Sequence, residues 1–203
     1  MRKVLIFAIL ITIIATTATA AVWILDPQET TTPAQTIPSR NQNPVILPPP
    51  PLPEPLPDSI NIEVPFTSQA PYGIWDALHE EACEEASITM IYAWSRGLDL
   101  DSALADQEIH KLIRWEETNG IHPVNTPATT TAAMAQALYG LSYRIITEPS
   151  IEELQRELSR GNIITIGVSN FANPYFQGNV PSHMVVLRGY DQTGFFTNAP
   201  GTR

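Results

Sequence analysis

Residues 69–94 read QAPYGIWDALHEEACEEASITMIYAW, a loop that runs into an apolar segment. From Ala82 onward, small and apolar residues recur every three or four positions, which predicts an amphipathic helix with one buried side. Cys83 is the only cysteine of the chain and stands at the start of this helix. Unpaired backbone N–H groups at a helix start favour an anion, so the position suits a thiolate nucleophile.

The charge of the chain is concentrated around this helix. The net charge is -10, and residues 58–118 carry 13 acidic and 3 basic residues. Such a surface repels a phosphate backbone, so nucleic acid is not expected as a partner. The acids nearest the cysteine are interpreted as a solvated collar: Glu80, Glu81, Glu84 and Glu85. A single cysteine excludes an internal disulfide, so an exported fold must rely on core packing.

The N-terminus is predicted to be a membrane anchor. Arg2 and Lys3 precede the uncharged residues 4–25. A helix of that length spans about 33 Å, which matches a hydrocarbon core of about 30 Å. The basic flank places the rest of the chain outside the cytoplasm. Ala18-Thr19-Ala20 is also typical of a signal-peptidase site, so a cleaved signal peptide and a secreted protein are the alternative.

Residues 26–57 are predicted to be an extended linker. Between Pro27 and Pro57, 11 of the 31 residues are proline, a composition that forms neither helix nor sheet. In a polyproline conformation of about 3.1 Å per residue, such a segment holds a domain well away from a bilayer. A proline-rich ligand for a binding module is the other interpretation.

Residues 58–203 are predicted to form one α+β domain, in which N-terminal helices pack on a C-terminal antiparallel sheet. Helices are expected at 82–96, from 99 or 101 to 118, at 127–139 and at 150–161, with Thr126 and Ser150 as caps of the last two. Strands are expected at 60–66, 162–168, 183–190 and 194–198, the last two forming a hairpin. The chain stops before the closing element that we expect, which suggests a truncated domain.

Four residues fit the roles of an acyl-transferring thiol enzyme. Cys83 is the candidate nucleophile. His183 opens a buried strand and is the candidate base, and the hairpin would bring Asn198 beside it to orient the ring. Gln69 is the candidate oxyanion donor, together with the backbone N–H of Cys83.

These residues lie in sequence blocks with a family resemblance. The blocks are Val64-Pro65-Phe66-Thr67-Ser68-Gln69, Trp75, Ala82-Cys83-Glu84-Glu85-Ala86-Ser87, Ser182-His183-Met184-Val185-Val186-Leu187-Arg188-Gly189-Tyr190-Asp191 and Asn198-Ala199-Pro200-Gly201-Thr202. Over residues 60–203 the chain resembles the papain-like cysteine peptidases related to the double-glycine leader peptidases of bacteriocin exporters. The resemblance implies a papain-like fold and cleavage of a peptide or related amide through a thioester, without a metal.

Two positions depart from the family pattern. The family usually has glycine and proline after the cysteine, where this chain has Glu84 and Glu85. The family's orienting aspartate normally precedes the proline, and that place is Ala199. Asn198 is one residue away and points to the opposite face of a regular strand. Either a bulge recovers it, or the triad lacks its third member.

Other interpretations of the same residues stay open. His79 and Cys83 share the spacing of the zinc-protease helix motif, but no third ligand stands out among His110, His122 and His183, so no metal and no cofactor are predicted. The predicted function is an extracytoplasmic thiol hydrolase acting on a peptide or a peptidoglycan-like substrate. The alternatives are a non-catalytic binding module on the same fold and a cell-wall amidase or transpeptidase.

Overall fold

The computed structural model describes residues 4–9, 55–171 and 180–202 of the chain. The strands in those ranges are β1 Val4–Ile9, β2 Ile60–Asn61, β3 Ser142–Thr147, β4 Ile163–Phe171, β5 Val180–Asp191 and β6 Gly194–Asn198. The helices are α1 Cys83–Arg96, α2 Ser102–Thr118, α3 Ala128–Tyr139 and α4 Ile151–Ser159, with a 3-10 turn, His79–Glu81, just before α1. Four helices beside a sheet confirm the predicted α+β class.

The sheet is antiparallel on one side and parallel on the other. Its order is β2-β5-β4-β1-β3, and β6 also pairs with β5. Strands β2, β4 and β6 all run antiparallel to β5, and the predicted β5–β6 hairpin is confirmed. Strand β3 was missed by the sequence analysis. Helix α4 links β3 to β4. Because a helical crossover of this kind joins parallel strands, β3 and β4 both run parallel to the strand that lies between them.

That strand between them is β1, which pairs with β3 on one edge and with β4 on the other. Its residues begin the stretch predicted to be a membrane anchor or signal peptide. A strand with partners on both edges is not a bilayer helix, so the structure departs from the prediction at residues 4–9. Residues 10–25 of the predicted anchor and residues 26–54 of the predicted linker lie outside the described residues. Among the helices described, none combines the length and hydropathy that crossing a bilayer needs.

The predicted strand at 60–66 is much shorter in the structure. Only Ile60 and Asn61 form strand pairs with β5, and the N–H of Ile62 adds one hydrogen bond to the Arg188 carbonyl at 2.8 Å. Beyond them Pro65 has no N–H to donate, and the carbonyl of Val64 accepts from the side chain of Asn198 at 3.1 Å. Gly189 stands where β2 meets β5, and a Cβ at this position would overlap the backbone of Ile60. The close approach of the two strands therefore requires glycine.

The helix termini follow local chemistry in most cases. Ser150 caps α4 through its side chain, as predicted, and Asp101, one of the two predicted starts of α2, caps that helix. Gly97 ends α1 with φ of 66°, a conformation that glycine adopts without strain. The predicted cap of α3 is wrong, because Thr126 turns its hydroxyl inward and donates to Glu116 Oε1 at 2.6 Å. The hydroxyl that was expected to accept a backbone N–H at the start of α3 is instead bound to a buried carboxyl group.

Two apolar clusters pack on the two faces of the sheet. Helices α1, α2 and α3 contribute to the first, with Ile88, Met90, Ile91, Leu112, Met134, Ile163 and Val186. Helix α4 contributes to the second, with Leu154, Leu158, Ile164, Val185, Leu187 and Ala199. Successive residues of β4 and β5 alternate between the clusters, as the period of two requires. This packing places the start of α1 against β5.

Candidate active site

Cys83 is the first residue of α1 and is partly exposed. Its thiol donates to Glu84 Oε2 at 2.9 Å, and its sulfur accepts the backbone N–H of Met184 at 3.4 Å. Since that N–H belongs to the peptide bond between His183 and Met184, the sulfur lies beside this peptide. The fold therefore brings the predicted nucleophile next to the strand segment that carries the predicted base.

The protonation of Cys83 is set by burial and by its acidic neighbours. Burial raises the pKa of Cys83 well above its ordinary value of 9.0, and the carboxyl of Glu84 raises it further. The helix start and the N–H of Met184 favour the thiolate, but a helix terminus contributes only about 0.3–1 kcal/mol, or less than one pKa unit. The unfavourable contributions are larger, so the thiol is protonated at neutral pH in this structure.

His183 lies in β5 opposite Val168 and is only 4% exposed. Its ring atom Nε2 accepts the backbone N–H of Gly201 at 3.4 Å. Burial lowers the pKa of His183 to about 4, so the ring is neutral at neutral pH. In a neutral imidazole one nitrogen donates and the other accepts, so this contact places the proton on Nδ1. Catalysis with Nδ1 facing the thiol needs the opposite tautomer.

Asn198 is not brought to the imidazole. It pairs with Val186, three residues beyond His183, so the two side chains leave the strands on opposite faces. Its Oδ1 accepts from Arg188 Nε at 3.0 Å and its Nδ2 donates to the Val64 carbonyl. A register shift does occur in the hairpin, but between Leu187 and Gly189, on the far side of the Asn198 pair from His183. The bulge therefore does not turn Asn198 toward the base, and its contacts do not support the orienting role.

Ala199 occupies the place where the family carries an aspartate. It is buried and belongs to the cluster beneath α4. Gly201, two residues later, is the residue whose N–H contacts His183 Nε2. The segment that contains Ala199 therefore also contacts the imidazole. Residue 199 has a methyl group where the family has a carboxylate.

Gln69 braces the loop that precedes the thiol. Its Nε2 donates to the carbonyls of His79 at 2.7 Å and Glu80 at 2.9 Å, which uses both amide hydrogens. Its Oε1 is buried and has no hydrogen-bond partner among the described residues. In this arrangement Gln69 holds the turn that precedes Cys83. The predicted contact with an oxyanion requires Gln69 to release one of its two hydrogen bonds to the backbone.

Two of the four acids near Cys83 are buried, which corrects the predicted solvated collar. Glu80 and Glu81 are exposed, whereas Glu84 is 6% and Glu85 only 1% exposed. Burial raises the pKa of Glu84, and burial together with the carboxyl of Glu116 raises that of Glu85 well above its ordinary value. Sequence reasoning missed this cluster because the partner carboxyl lies on another helix, 31 positions away.

His79 and Cys83 do not share a site, despite their motif-like spacing. The His79 ring contacts Asp76 and Asp106, whereas the thiol contacts Glu84. The ring of His79 and the thiol of Cys83 thus have different hydrogen-bond partners.

One of the comparisons with known proteins, that with family models, finds a match. The sequence model of the Peptidase_C39 like family matches residues 61–203, which is well over half of the chain and includes Cys83 and His183. Neither the curated proteins nor the solved structures contain a match. The family match confirms the predicted relationship to papain-like cysteine peptidases and, with it, the papain-like α+β fold. The chain belongs to the Peptidase_C39 like family.

Proposed function

We propose that this protein is a thiol hydrolase that cleaves peptide or related amide bonds through a Cys83 thioester. The observation that carries the proposal is the position of the Cys83 sulfur, at a helix start and 3.4 Å from the amide nitrogen that follows His183. His183, the residue before that amide, is buried and is the candidate base, and acyl transfer by a thiol needs such a base. Membership of a family of cysteine peptidase relatives supports the same reaction class.

The protonation states define how such a reaction would proceed. Both groups are neutral, so the imidazole of His183, once its proton has moved from Nδ1 to Nε2, takes the thiol proton as the sulfur attacks the carbonyl carbon. The imidazolium then gives that proton to the departing amine as the C–N bond breaks, which leaves a thioester. Water, deprotonated by the same ring, releases the acid and restores the thiol. The backbone N–H of Cys83, and Gln69 once it releases the Glu80 carbonyl, are the proposed oxyanion donors.

The test uses a thiol-reactive peptide probe and a set of peptide substrates. Wild-type protein should be labelled in the folded state and should turn over at least one peptide, whereas Cys83→Ala should do neither. Labelling of the wild type only after denaturation would count against the proposal. Peptidoglycan fragments assayed in parallel separate a peptidase from a cell-wall amidase or transpeptidase.

A non-catalytic binding module on the same fold is the second candidate. It is favoured by the hydrogen bond from Cys83 to Glu84 and by Ala199 at the orienting position, since both disfavour a reactive pair. This candidate predicts peptide binding without turnover, unchanged in Cys83→Ala. Calorimetric titration of both proteins with the same peptides distinguishes it from the hydrolase.

Extracytoplasmic placement is also proposed, through residues 4–25 as anchor or signal and residues 26–57 as stalk. Its support is the uncharged length of residues 4–25 after Arg2 and Lys3. The alternative is that residues 4–9 form strand β1 of the sheet and do not enter a membrane. Deletion of residues 1–25 separates the two. It should release an anchored protein from membranes without lowering its melting temperature, whereas loss of a central strand should lower it strongly.

A further inference from the structure

We propose that His79, Asp106 and His110 bind one divalent transition-metal ion, with zinc as the best match. One potential ligand atom from each of these residues lies within 4.8 Å of the other two. His79 comes from the 3-10 turn before α1, and the other two residues come from α2. In the sequence, His79 stands at motif spacing from Cys83. In the fold, its neighbouring potential ligands are instead Asp106 and His110 of α2.

Two spacings between potential ligand atoms are close to those around a tetrahedral ion, each measured to a different oxygen of Asp106. His79 Nε2 lies 3.2 Å from Asp106 Oδ1, and His110 Nδ1 lies 3.4 Å from Asp106 Oδ2. Nitrogen and oxygen ligands about 2.0–2.1 Å from zinc, at tetrahedral angles, lie about 3.3–3.4 Å from one another. His110 Nδ1 also lies 2.9 Å from the carbonyl oxygen of Asp106, and metal binding would replace that hydrogen bond. The three atoms lie within 4.8 Å of one another, so side-chain rotation that brings one Asp106 oxygen between the two rings would close the site around an ion.

Helix geometry and a supporting carboxylate hold the three residues in place. Asp106 and His110 are four positions apart on α2, so they project from the same side of the helix. Asp76 Oδ1 accepts from His79 Nδ1 at 2.8 Å. This bond fixes the proton on Nδ1 and turns Nε2 toward Asp106. A carboxylate behind a ligating histidine is the usual support of zinc sites.

The donor set selects the kind of ion. Two imidazoles and one carboxylate suit zinc and neighbouring transition metals, whereas magnesium and calcium prefer oxygen ligands alone. The His79 side chain is only 8% exposed, while those of Asp106 and His110 are 27% and 37% exposed. An ion can thus enter from the α2 side. Three protein ligands also leave a fourth position for water.

The site adjoins the loop that carries the nucleophile. The carbonyl of His79 accepts from Gln69, and Cys83 follows four residues later. An ion bound to His79 would join this loop to α2, so it should stabilise the folded protein by mass action. This effect is independent of whether the thiol catalyses a reaction.

The experiment is calorimetric titration of the full chain with Zn²⁺, alongside melting curves. Wild type should bind one equivalent and melt at a higher temperature with the ion, whereas Mg²⁺ should have neither effect. His110→Ala should bind Zn²⁺ at least about tenfold more weakly. The side chain of His110 is partly exposed, so this variant should fold, which circular dichroism checks. Asp106→Asn provides a second variant of the same site.

Two controls exclude other zinc sites. His122→Ala removes an exposed histidine on another loop and should bind as wild type does. Cys83→Ala should also keep full binding, and Co²⁺-loaded wild type should lack a thiolate-to-cobalt charge-transfer band. The proposal is overturned if wild type binds no Zn²⁺, if His110→Ala binds equally well, or if binding requires Cys83. In those cases the cluster is a hydrogen-bonded network that joins the turn to α2 without a metal.

Discussion

The thiol of Cys83 donates a hydrogen bond to the carboxyl of Glu84 over 2.9 Å. The nucleophile of the proposed reaction is therefore paired with an acidic neighbour in its own helix. A negative charge at that distance opposes the thiolate and so raises the pKa of Cys83. The reactivity of Cys83 therefore depends on breaking its hydrogen bond to Glu84.

Replacing Glu84 by glutamine should activate the thiol. Glu84→Gln removes a charge that raises the pKa of Cys83, so alkylation by iodoacetamide at pH 7.5 should be roughly tenfold faster. The exposed Glu80 provides the control, since Glu80→Gln removes a charge nearby without touching the sulfur. Equal alkylation rates in wild type and Glu84→Gln would show that burial alone suppresses the thiolate.

Restoring an aspartate at position 199 should activate the base. The Ala199→Asp carboxylate would lie near His183 Nε2, favour the tautomer with the proton on Nε2 and raise the pKa of His183 from about 4. We expect kcat/KM to rise at least about tenfold, since loss of an orienting aspartate costs up to about 10⁴ in serine proteases. Ring-proton NMR titration measures the pKa directly. In a His183→Ala background the gain in activity should vanish, and an unchanged imidazole titration would contradict the prediction.

Glu85 should make the stability of the protein depend on pH. Its pKa is raised in the folded protein, so the unfolded chain releases this proton first as the pH rises above about 4.5. Wild type therefore loses stability from there up to the folded pKa, by at most about 1.4 kcal/mol per pH unit. Glutamine does not titrate. The unfolding free energy of Glu85→Gln minus that of the wild type should therefore increase as the pH rises.

Denaturant unfolding at pH 5, 6 and 7 measures that difference, in which the ionisable groups that do not interact with Glu85 cancel. Glu117→Gln, at an exposed position on α2, should show no widening. A constant difference between wild type and Glu85→Gln would contradict the raised pKa.

Gln69 should contribute measurably to stability. Gln69→Ala removes two hydrogen bonds to the carbonyls of His79 and Glu80, and a buried polar group left without its partner costs about 1–3 kcal/mol. We expect the free energy of unfolding to fall by that amount. Gln107→Ala, at an exposed helical position, should change it little. A similar loss in both variants would show that Gln69 does not brace the loop.

Local features of this protein could be predicted from its sequence. The start of α1 near Cys83, the start of α2 near Asp101, the cap Ser150 and the hairpin that ends at Asn198 all depend on residues within a few positions of one another. Cys83 and His183 were identified because each stands at the start of a periodic segment inside a family block. The family match confirms that resemblance.

Features that join distant segments could not be predicted in this way. The burial of Glu85 depends on Glu116 of another helix, and the cluster at His79 depends on two residues of α2. The direction of Asn198 depends on where the bulge falls in β5. The pairing of β1 with β3 joins residues more than a hundred positions apart.

The sequence by itself determined the class of the fold, the positions of the helices and the two residues proposed for chemistry, because backbone propensity and side-chain periodicity act over a few residues. The tertiary structure alone decided which carboxyls are buried, which way the side chain of Asn198 points and what His79 contacts. Burial and charge act through space, so these outcomes depend on which elements pack together. The thiolate form of Cys83 is thus favoured by the start of α1 and opposed by the acidic side chains packed around it.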